Sequence, residues 1–274
     1  MFIIYLTSLF VFVFGVCIGS FLNCYIYRRL PASAEGYGVA RQKKSLNGRS
    51  FCPHCKHTLS WRDLFPVFSF LVLKGKCRYC KKNISWQYPL VELATGLVFL
   101  LIFNLKFEIL NQFEILKFLN LFFLFYIASA LIIIFVYDLK HYLIPDKVLL
   151  PAISIVFFYR LFFNFSSFSN YLLAVLVAAG FFLLIFLISK GKWMGFGDVK
   201  LAVLMGLLLG FQNVLVALFL AFFFGAIIGI ILMVFGDKKL KSEIPFAPFL
   251  IIGTFLALFY GSQLIQWYLR LFQI

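Results

Sequence analysis

Two aspartates, Asp138 and Asp198, lie where long apolar runs meet charged segments of the chain. A charged side chain costs roughly 2.5–3.5 kcal/mol in the middle of a membrane-spanning helix, so an acid beside such runs suggests a function. Two carboxylates held close together cannot both ionise readily and therefore share one proton. One can then activate a water molecule while its protonated partner polarises a peptide carbonyl. Such a pair hydrolyses peptides without a metal or a covalent intermediate.

Both aspartates have neighbours that fit this chemistry. Gly195 and Gly197 precede Asp198, and glycines permit backbone conformations and close approaches that a side chain would block. An aspartate capping the helix that begins there is an equally good interpretation of Asp198 alone. Asp138 closes another apolar run on the same side of the membrane, which favours catalysis. Asp146 competes for that role, but it directly precedes the next run and fits a helix N-cap, so Asp138 is preferred.

A second group of residues could bind a metal. Cys52, Cys55, Cys77 and Cys80 form two Cys-x2-Cys pairs, a spacing typical of zinc sites. Four thiolates fill a tetrahedral coordination shell, so we expect a structural zinc and not a catalytic one. Disulfides are the alternative, but thiols stay reduced in a cytoplasmic segment. None of the three histidines belongs to a His-Glu-x-x-His pattern, which argues against a zinc protease.

The elements that must position these residues are membrane-spanning helices. The 274-residue chain is 64% hydrophobic and 13% charged, with a mean hydropathy of +1.01. Its apolar residues come in runs of about 20, so the sequence predicts an all-α polytopic membrane protein. The first run lacks the charged start of a signal peptide and is expected to remain as a helix. About eight spans are predicted, near residues 2–27, 88–105, 118–137, 147–163, 171–189, 198–212, 214–235 and 246–268.

The distribution of charge predicts how these spans are oriented. The net charge is +15, and all but four of the 25 lysines and arginines lie on one side of the predicted membrane. Because basic loops face the cytoplasm, this charge reports topology and implies no nucleic-acid partner. Both termini are then expected outside the cytoplasm. The four exceptions are Lys106, Lys117, Arg160 and Arg270.

The predicted division of the chain has three parts. Residues 1–27 form the first helix, residues 28–87 a small basic cytoplasmic domain that binds zinc, and residues 88–274 the helical membrane domain. Within the last part, residues 198–235 would form about 57 Å of helix against a bilayer core of about 30 Å. They must reverse once, and the sequence places that turn at Gly210-Phe211-Gln212-Asn213. The arm that starts at Asp198 is then only about 20 Å long, which favours a thinned or water-filled site there.

Several motifs together resemble the bacterial prepilin peptidases, also called type IV leader peptidases, an intramembrane aspartyl protease family. The resemblance covers nearly the whole chain. It is carried by Gly19-Ser20-Phe21-Leu22-Asn23 with Tyr27-Arg28, the two cysteine pairs with Gly75-Lys76, Tyr88-Pro89-Leu90-Val91-Glu92, Asp138 with Ile144-Pro145-Asp146, Gly195-Phe196-Gly197-Asp198-Val199-Lys200, and Ile244-Pro245-Phe246.

This resemblance implies an activity and a location. Members of the family remove the basic leader of type IV prepilin or pseudopilin precursors after a glycine, at the cytoplasmic face of the bacterial inner (cytoplasmic) membrane. It implies that Asp138 and Asp198 are catalytic, with supporting positions at Gly195, Gly197, Asp146 and Lys200. Ala247 departs from the family, which usually has glycine there, and we expect this to affect packing only.

Many members of the family also methylate the new amino terminus with S-adenosylmethionine. In this chain that activity rests on the resemblance alone, because no glycine fingerprint of a nucleotide cofactor follows a strand. Its candidate cofactor-binding residues are Gly75, Asn23 and Glu92. For Asn23 and Glu92, hydrogen bonding between helices is an equally good interpretation.

Two other functions compete with the peptidase. A proton-coupled transporter would use Asp138, Asp146 and Asp198 as titrating groups, although no internal repeat supports it. A membrane assembly factor would recruit a partner through its zinc loop and pair its acids with Lys140 or Lys200. The preferred function is a peptidase with methyltransferase activity, whose partners are prepilins and the lipid bilayer. The sequence predicts no oligomeric state.

Overall fold

The computed structural model describes residues 2–29, 48–107, 115–235 and 244–271, and within these ranges the chain is helical without an extended strand. Two short 3-10 turns, Trp61–Asp63 and Phe165–Ser167, accompany the helices. The helices are α1 (Phe2–Arg29), α2 (Phe68–Val72), α3 (Gln87–Phe107), α4 (Ile115–His141), α5 (Asp146–Phe163), α6 (Phe168–Ser189), α7 (Phe196–Leu209), α8 (Phe211–Phe235) and α9 (Ala247–Leu271).

Every predicted span overlaps one of these helices, although the span predicted at 198–212 runs past the end of α7 into the first residues of α8. By length and composition, α1, α3, α4, α6, α8 and α9 are each able to cross a membrane. The helices at the other two predicted spans, α5 and α7, do not meet these conditions. Helix α5 carries three charged residues, Asp146, Lys147 and Arg160, among its 18 residues, and α7 has only 14 residues. The predicted all-α polytopic fold is confirmed. The predicted domain boundaries at residues 27 and 87 stay predictions. Residues 30–47 of the predicted zinc domain lie outside the described ranges. The side chains of Lys106 and Lys117 are also not described.

The first of two compact units, Met1–Ile133, is held together mainly by α1 against α3. These helices approach closely, because a Cβ atom on Gly19 would lie only 2.7 Å from the Cα atom of Glu92. In lipid no hydrophobic force drives helices together, so close packing at small residues is a main source of association. Asn23 and Glu92 both lie buried in this unit.

The second compact unit, Ile134–Ile274, is built around α7. This helix packs against α5, α6, α8 and α9, and nine of its 14 residues are buried. At 1.5 Å per residue it is about 21 Å long, shorter than a bilayer core of about 30 Å. The helix α7, which carries Asp198 in its first turn, is therefore surrounded by other helices of the unit.

The end of α7 is fixed by a glycine and an arginine. Gly210 ends the helix with φ of +76°, a conformation that favours glycine, and it confirms the predicted turn. The Arg160 guanidinium donates hydrogen bonds to the carbonyl oxygens of Leu207 (3.2 Å) and Leu208 (2.7 Å) and lies 4.3 Å from the ring of Tyr171. Terminal carbonyls of a helix lack partners and carry partial negative charge, so a cation stabilises them.

One helix, α2, was missing from the sequence-based prediction. It lies in an apolar run, residues 64–73, that is interrupted only by Pro66 and Ser69. The prediction assigned this run to a polar cytoplasmic domain, because the charges on either side dominate the average composition. An apolar run of about 10–14 residues is too short to span a membrane and is typical of a buried helix or an interfacial segment.

Candidate active site and metal centre

Asp138 is a buried carboxylate near the end of α4. Only 5% of the residue is exposed, and its carboxylate accepts a hydrogen bond from the backbone N–H of Ala247, the first residue of α9. The neighbouring Tyr137 is 4% exposed and lies with its ring 4.6 Å from that of His141. The chain thus holds this acid between the end of one long helix and the start of another.

Asp198 is the third residue of α7, and its carboxylate accepts a hydrogen bond from the backbone N–H of Gly195, the N-cap residue. An acid in this first turn satisfies an N–H group that has no partner within the helix. The carboxylates of Asp138 and Asp198 also interact electrostatically. The structure therefore brings together the two acids that the sequence singled out, although sixty residues separate them.

The two glycines before Asp198 have different roles. Neither has a positive φ, so the predicted unusual backbone conformation is absent, whereas the predicted close approach is found at Gly197. A Cβ atom on Gly197 would lie 3.1 Å from Cβ of Ile144, whereas one on Gly195 would come no closer than 3.8 Å, to the Asp198 carboxylate. Gly197 is needed because the start of α7 rests directly on the loop that follows α4.

Asp146, the alternative to Asp138, is engaged elsewhere. Both of its carboxylate oxygens lie 2.8 Å from Nζ of Lys200, and its side chain is 52% exposed. Pro145 occupies the N-cap position of α5, so the predicted N-cap role of Asp146 was wrong by one residue. Asp146 stands in the first turn instead, where a negative charge favours the helix.

Ala247 contributes to the site in a way that the sequence did not reveal. Its side chain is fully buried, in keeping with the expected packing role, but its backbone N–H also bonds to Asp138. A hydrogen bond from a backbone N–H cannot be predicted from the residue type, because any residue except proline can donate it. The only available signal was Pro245 and Pro248, which frame a helix entry.

The four candidate zinc ligands also come together. The Sγ atoms of Cys52, Cys55, Cys77 and Cys80 all lie within 4.8 Å of one another, and those of Cys52 and Cys80 are 3.9 Å apart. Tetrahedral zinc with bonds of about 2.3 Å separates sulfurs by about 3.8 Å, whereas a disulfide bond is about 2.05 Å long. The donor set and its spacing therefore fit a zinc ion.

Both cysteine pairs sit in turns of the same design. Backbone N–H groups of Cys52 and Cys77 bond to the carbonyls five residues on, and Lys56 and Lys81 both have φ near +60°. Burial alone would raise the pKa of Cys52, but hydrogen bonds from the backbone of Cys55 and His54 lower it to about 7. A thiol with such a pKa gives up its proton to a metal readily.

An ion pair joins the second of these turns to the 3-10 turn at Trp61–Asp63. Nε of Arg78 lies 2.7 Å from the carboxylate of Asp63, whose side chain is 2% exposed. Burial alone would raise the pKa of Asp63, but the hydrogen bond from Arg78 holds it below its ordinary value. Asp63 also accepts a bond from the hydroxyl of Ser60 at 2.9 Å.

The candidate methyltransferase residues have partners within the first unit. Asn23 donates to the carbonyl of Tyr88 (3.2 Å) and accepts from Gln87 (3.1 Å), and Glu92 accepts from the N–H of Val67 (2.7 Å). Gly75 has φ of +68°. These contacts agree with hydrogen bonding between elements, and nothing in them tests a role in binding a cofactor.

Comparison with known proteins adds two family matches. Residues 13–106 match the family described as Bacterial Peptidase A24 N-terminal domain, and residues 125–230 match the Type IV leader peptidase family. No solved structure gives a significant match to this chain.

Curated relatives match along nearly the full length. A protein from Aeromonas hydrophila is 32% identical, over 96% of this chain and 93% of its own. One from Bacillus subtilis (strain 168) is 32% identical over 95% and 97%, and one from Legionella pneumophila is 33% identical over 93% and 92%. All three carry the name prepilin leader peptidase/N-methyltransferase.

Proposed function

Because this chain belongs to the type IV leader peptidase family, we propose that it is an intramembrane aspartyl peptidase that removes the leader of type IV prepilin or pseudopilin precursors and then methylates the new amino terminus. The observation that carries this proposal is the electrostatic interaction between Asp138 and Asp198. The transporter alternative gains no support from relatives whose names are those of peptidases.

The proposed reaction uses both carboxyl groups at once. One carboxylate takes a proton from water, and the protonated partner donates a hydrogen bond to the oxygen of the scissile carbonyl. Hydrogen bonds from Ala247 and Gly195 hold the two carboxylates in place, which is the kind of preorganisation that catalysis requires. The substrate's apolar helix stays in the membrane, so its cleavage site reaches these residues at the cytoplasmic face.

Zinc and the methyl donor have separate places in this proposal. Cys52, Cys55, Cys77 and Cys80 would hold a structural zinc, since four thiolates leave no open position for a substrate. S-adenosylmethionine would supply the methyl group, with Gly75, Asn23 and Glu92 as candidates for its site. The protein would lie in the bacterial cytoplasmic membrane with both termini outside the cytoplasm.

The deciding experiment is leader cleavage by purified protein. The full chain is reconstituted in lipid nanodiscs with a leader-bearing prepilin, and the product is followed by gel shift and mass. Either Asp138→Asn or Asp198→Asn should abolish cleavage, because an amide cannot exchange the proton. Methylation would replace one hydrogen of the new amino terminus by a methyl group, so the cleaved product would gain the mass of one CH2 unit.

Asp146→Asn is the matched control, since it removes a carboxylate from the same face but leaves the proposed pair intact. It should keep most of the cleavage while losing the ion pair with Lys200. Full cleavage by both Asp138→Asn and Asp198→Asn proteins would falsify the peptidase assignment. Loss in Asp146→Asn together with retention in Asp138→Asn would transfer the catalytic role to Asp146.

A further inference from the structure

We propose that residues 61–72, which we call the interfacial segment, insert into the lipid interface beside α3 and anchor the four-cysteine module to the membrane surface. The proposal concerns lipid contact by a part of the chain that does not cross the membrane. It is independent of the peptidase assignment.

The interfacial segment exposes an unusual amount of apolar surface. Five of its large side chains are between 53% and 67% exposed: Trp61, Phe65, Phe68, Leu71 and Val72. Within α2, Phe68, Leu71 and Val72 stand at positions i, i+3 and i+4 and share one side. The rings of Trp61 and Phe65, which precede this helix, lie 6.0 Å apart. The opposite side is buried through Phe70 (8% exposed). An exposed apolar patch of this kind marks a membrane or protein contact.

A hydrogen bond fixes the depth of this segment relative to α3. The backbone N–H of Val67 donates to the carboxylate of Glu92 at 2.7 Å. Glu92 lies five residues beyond Gln87, where the membrane-spanning part of α3 begins. Five residues of helix correspond to about 7.5 Å. Interfacial helices bury their apolar face roughly 5–10 Å below the headgroup boundary, so the bond holds the segment at that depth.

The interfacial segment also lies against the start of α3, whose outward side is apolar and exposed. Trp86 precedes this helix, is 68% exposed and packs its ring edge-on against Phe70 at 4.9 Å. Leu90 (60%) and Leu97 (52%) follow it along the helix at the spacing of one face. Because the outward side of a spanning helix contacts lipid, the apolar surface that lies against its start contacts lipid too. This proximity is what selects lipid, and not a partner protein, as the occupant.

Charge and residue type agree with an interfacial position. Arg62, Lys74 and Lys76 lie exposed at the edges of the apolar face, where they would meet anionic headgroups. Trp61 and Trp86 are of the type enriched at membrane–water boundaries. The module that carries the cysteines would therefore rest on the bilayer through the interfacial segment.

The test uses the full chain in nanodiscs containing anionic lipid. The unmodified protein is first irradiated with a lipid that carries a photoreactive group in its acyl chain, and adducts are located by peptide mapping. We expect adducts in residues 61–72 as well as in α3. In parallel, three of the four tryptophans are replaced by Phe so that Trp61 alone reports its surroundings. The matched control carries Trp61→Phe and Lys82→Trp, which moves the reporter to an exposed position of the cysteine module.

Lipids brominated in the acyl chain should remove most of the Trp61 emission and little of the control emission, whereas aqueous acrylamide should show the opposite order. Trp61 quenched by acrylamide as strongly as the control, with no adducts in residues 61–72, would overturn the proposal. Resistance to both quenchers would also overturn it, because the patch would then be covered by protein. If the tryptophan variants fail to fold, the adduct map of the unmodified chain decides alone.

Discussion

The contrast between Gly197→Ala and Gly195→Ala offers a sharp test of how the site is held. A new Cβ atom at residue 197 would lie 3.1 Å from Cβ of Ile144, whereas carbon atoms pack best at about 3.5–4.0 Å. The start of α7 must therefore move by roughly half an ångström. Since a misplacement of about 1 Å can cost about 100-fold in rate, we expect Gly197→Ala to lower kcat about tenfold, or about 1.4 kcal/mol.

Gly195→Ala is the matched control, because its new Cβ atom meets Asp198 at an ordinary 3.8 Å and its backbone needs no positive φ. We expect its cleavage rate to stay within about twofold of the parent. Initial rates of leader cleavage in nanodiscs measure both variants, and thermal unfolding shows that each is folded. Ile144→Ala should restore part of the loss in Gly197→Ala, since it removes two of the three closest atoms. Equal rates for the two glycine variants would refute the argument from close packing.

Three further outcomes follow from contacts described above. Arg160→Ala should lower the free energy of unfolding by about 1.5–3 kcal/mol, because two carbonyls at the end of α7 lose a charged donor. Arg160→Lys should recover only part of this lost stability. Thermal or detergent-induced unfolding measures both variants. Asp63→Asn should weaken the cysteine module by roughly 0.5–1 kcal/mol in amide hydrogen exchange, since its partner Arg78 is 46% exposed. Because the pKa of Asp63 is lowered in the folded protein, the stability difference between the parent and Asp63→Asn should be constant above the unfolded pKa of about 4. It should shrink as the pH falls through the lower, folded pKa. A stability difference that grows in acid would contradict this reasoning. Metal analysis should find one zinc per chain that Cys77→Ser loses and that acid releases, whereas leader cleavage by Cys77→Ser should persist in part.

The helices were predictable because each leaves a continuous signal along the chain. An apolar run long enough to cross a bilayer has few other interpretations, and the reversal at Gly210 follows from simple length. The cysteine cluster was equally accessible, since its spacing is local. The convergence of Asp138 and Asp198 was expected because one ends an apolar run and the other begins one on the same side of the membrane, although their catalytic role stays a prediction.

What the sequence did not reveal depends on contacts between distant segments. The requirement for Gly197 comes from Ile144, and a glycine looks the same whether it supplies a turn or makes room for a neighbour. Arg160 was counted only as a charge outside the membrane, yet it caps the end of α7. The apolar run that contains α2 was hidden by averaging over its charged surroundings. Each of these roles becomes visible only once the partner segment is placed.

The hydrogen bond between Ala247 and Asp138 has a consequence for biosynthesis. Both acids precede residue 199, whereas the donor that holds Asp138 lies at residue 247 and is synthesised after them. This contact therefore forms only after α9 has been synthesised and inserted. In the proposed mechanism, hydrolysis depends on that helix, and a chain truncated before Ala247 is expected to lack activity.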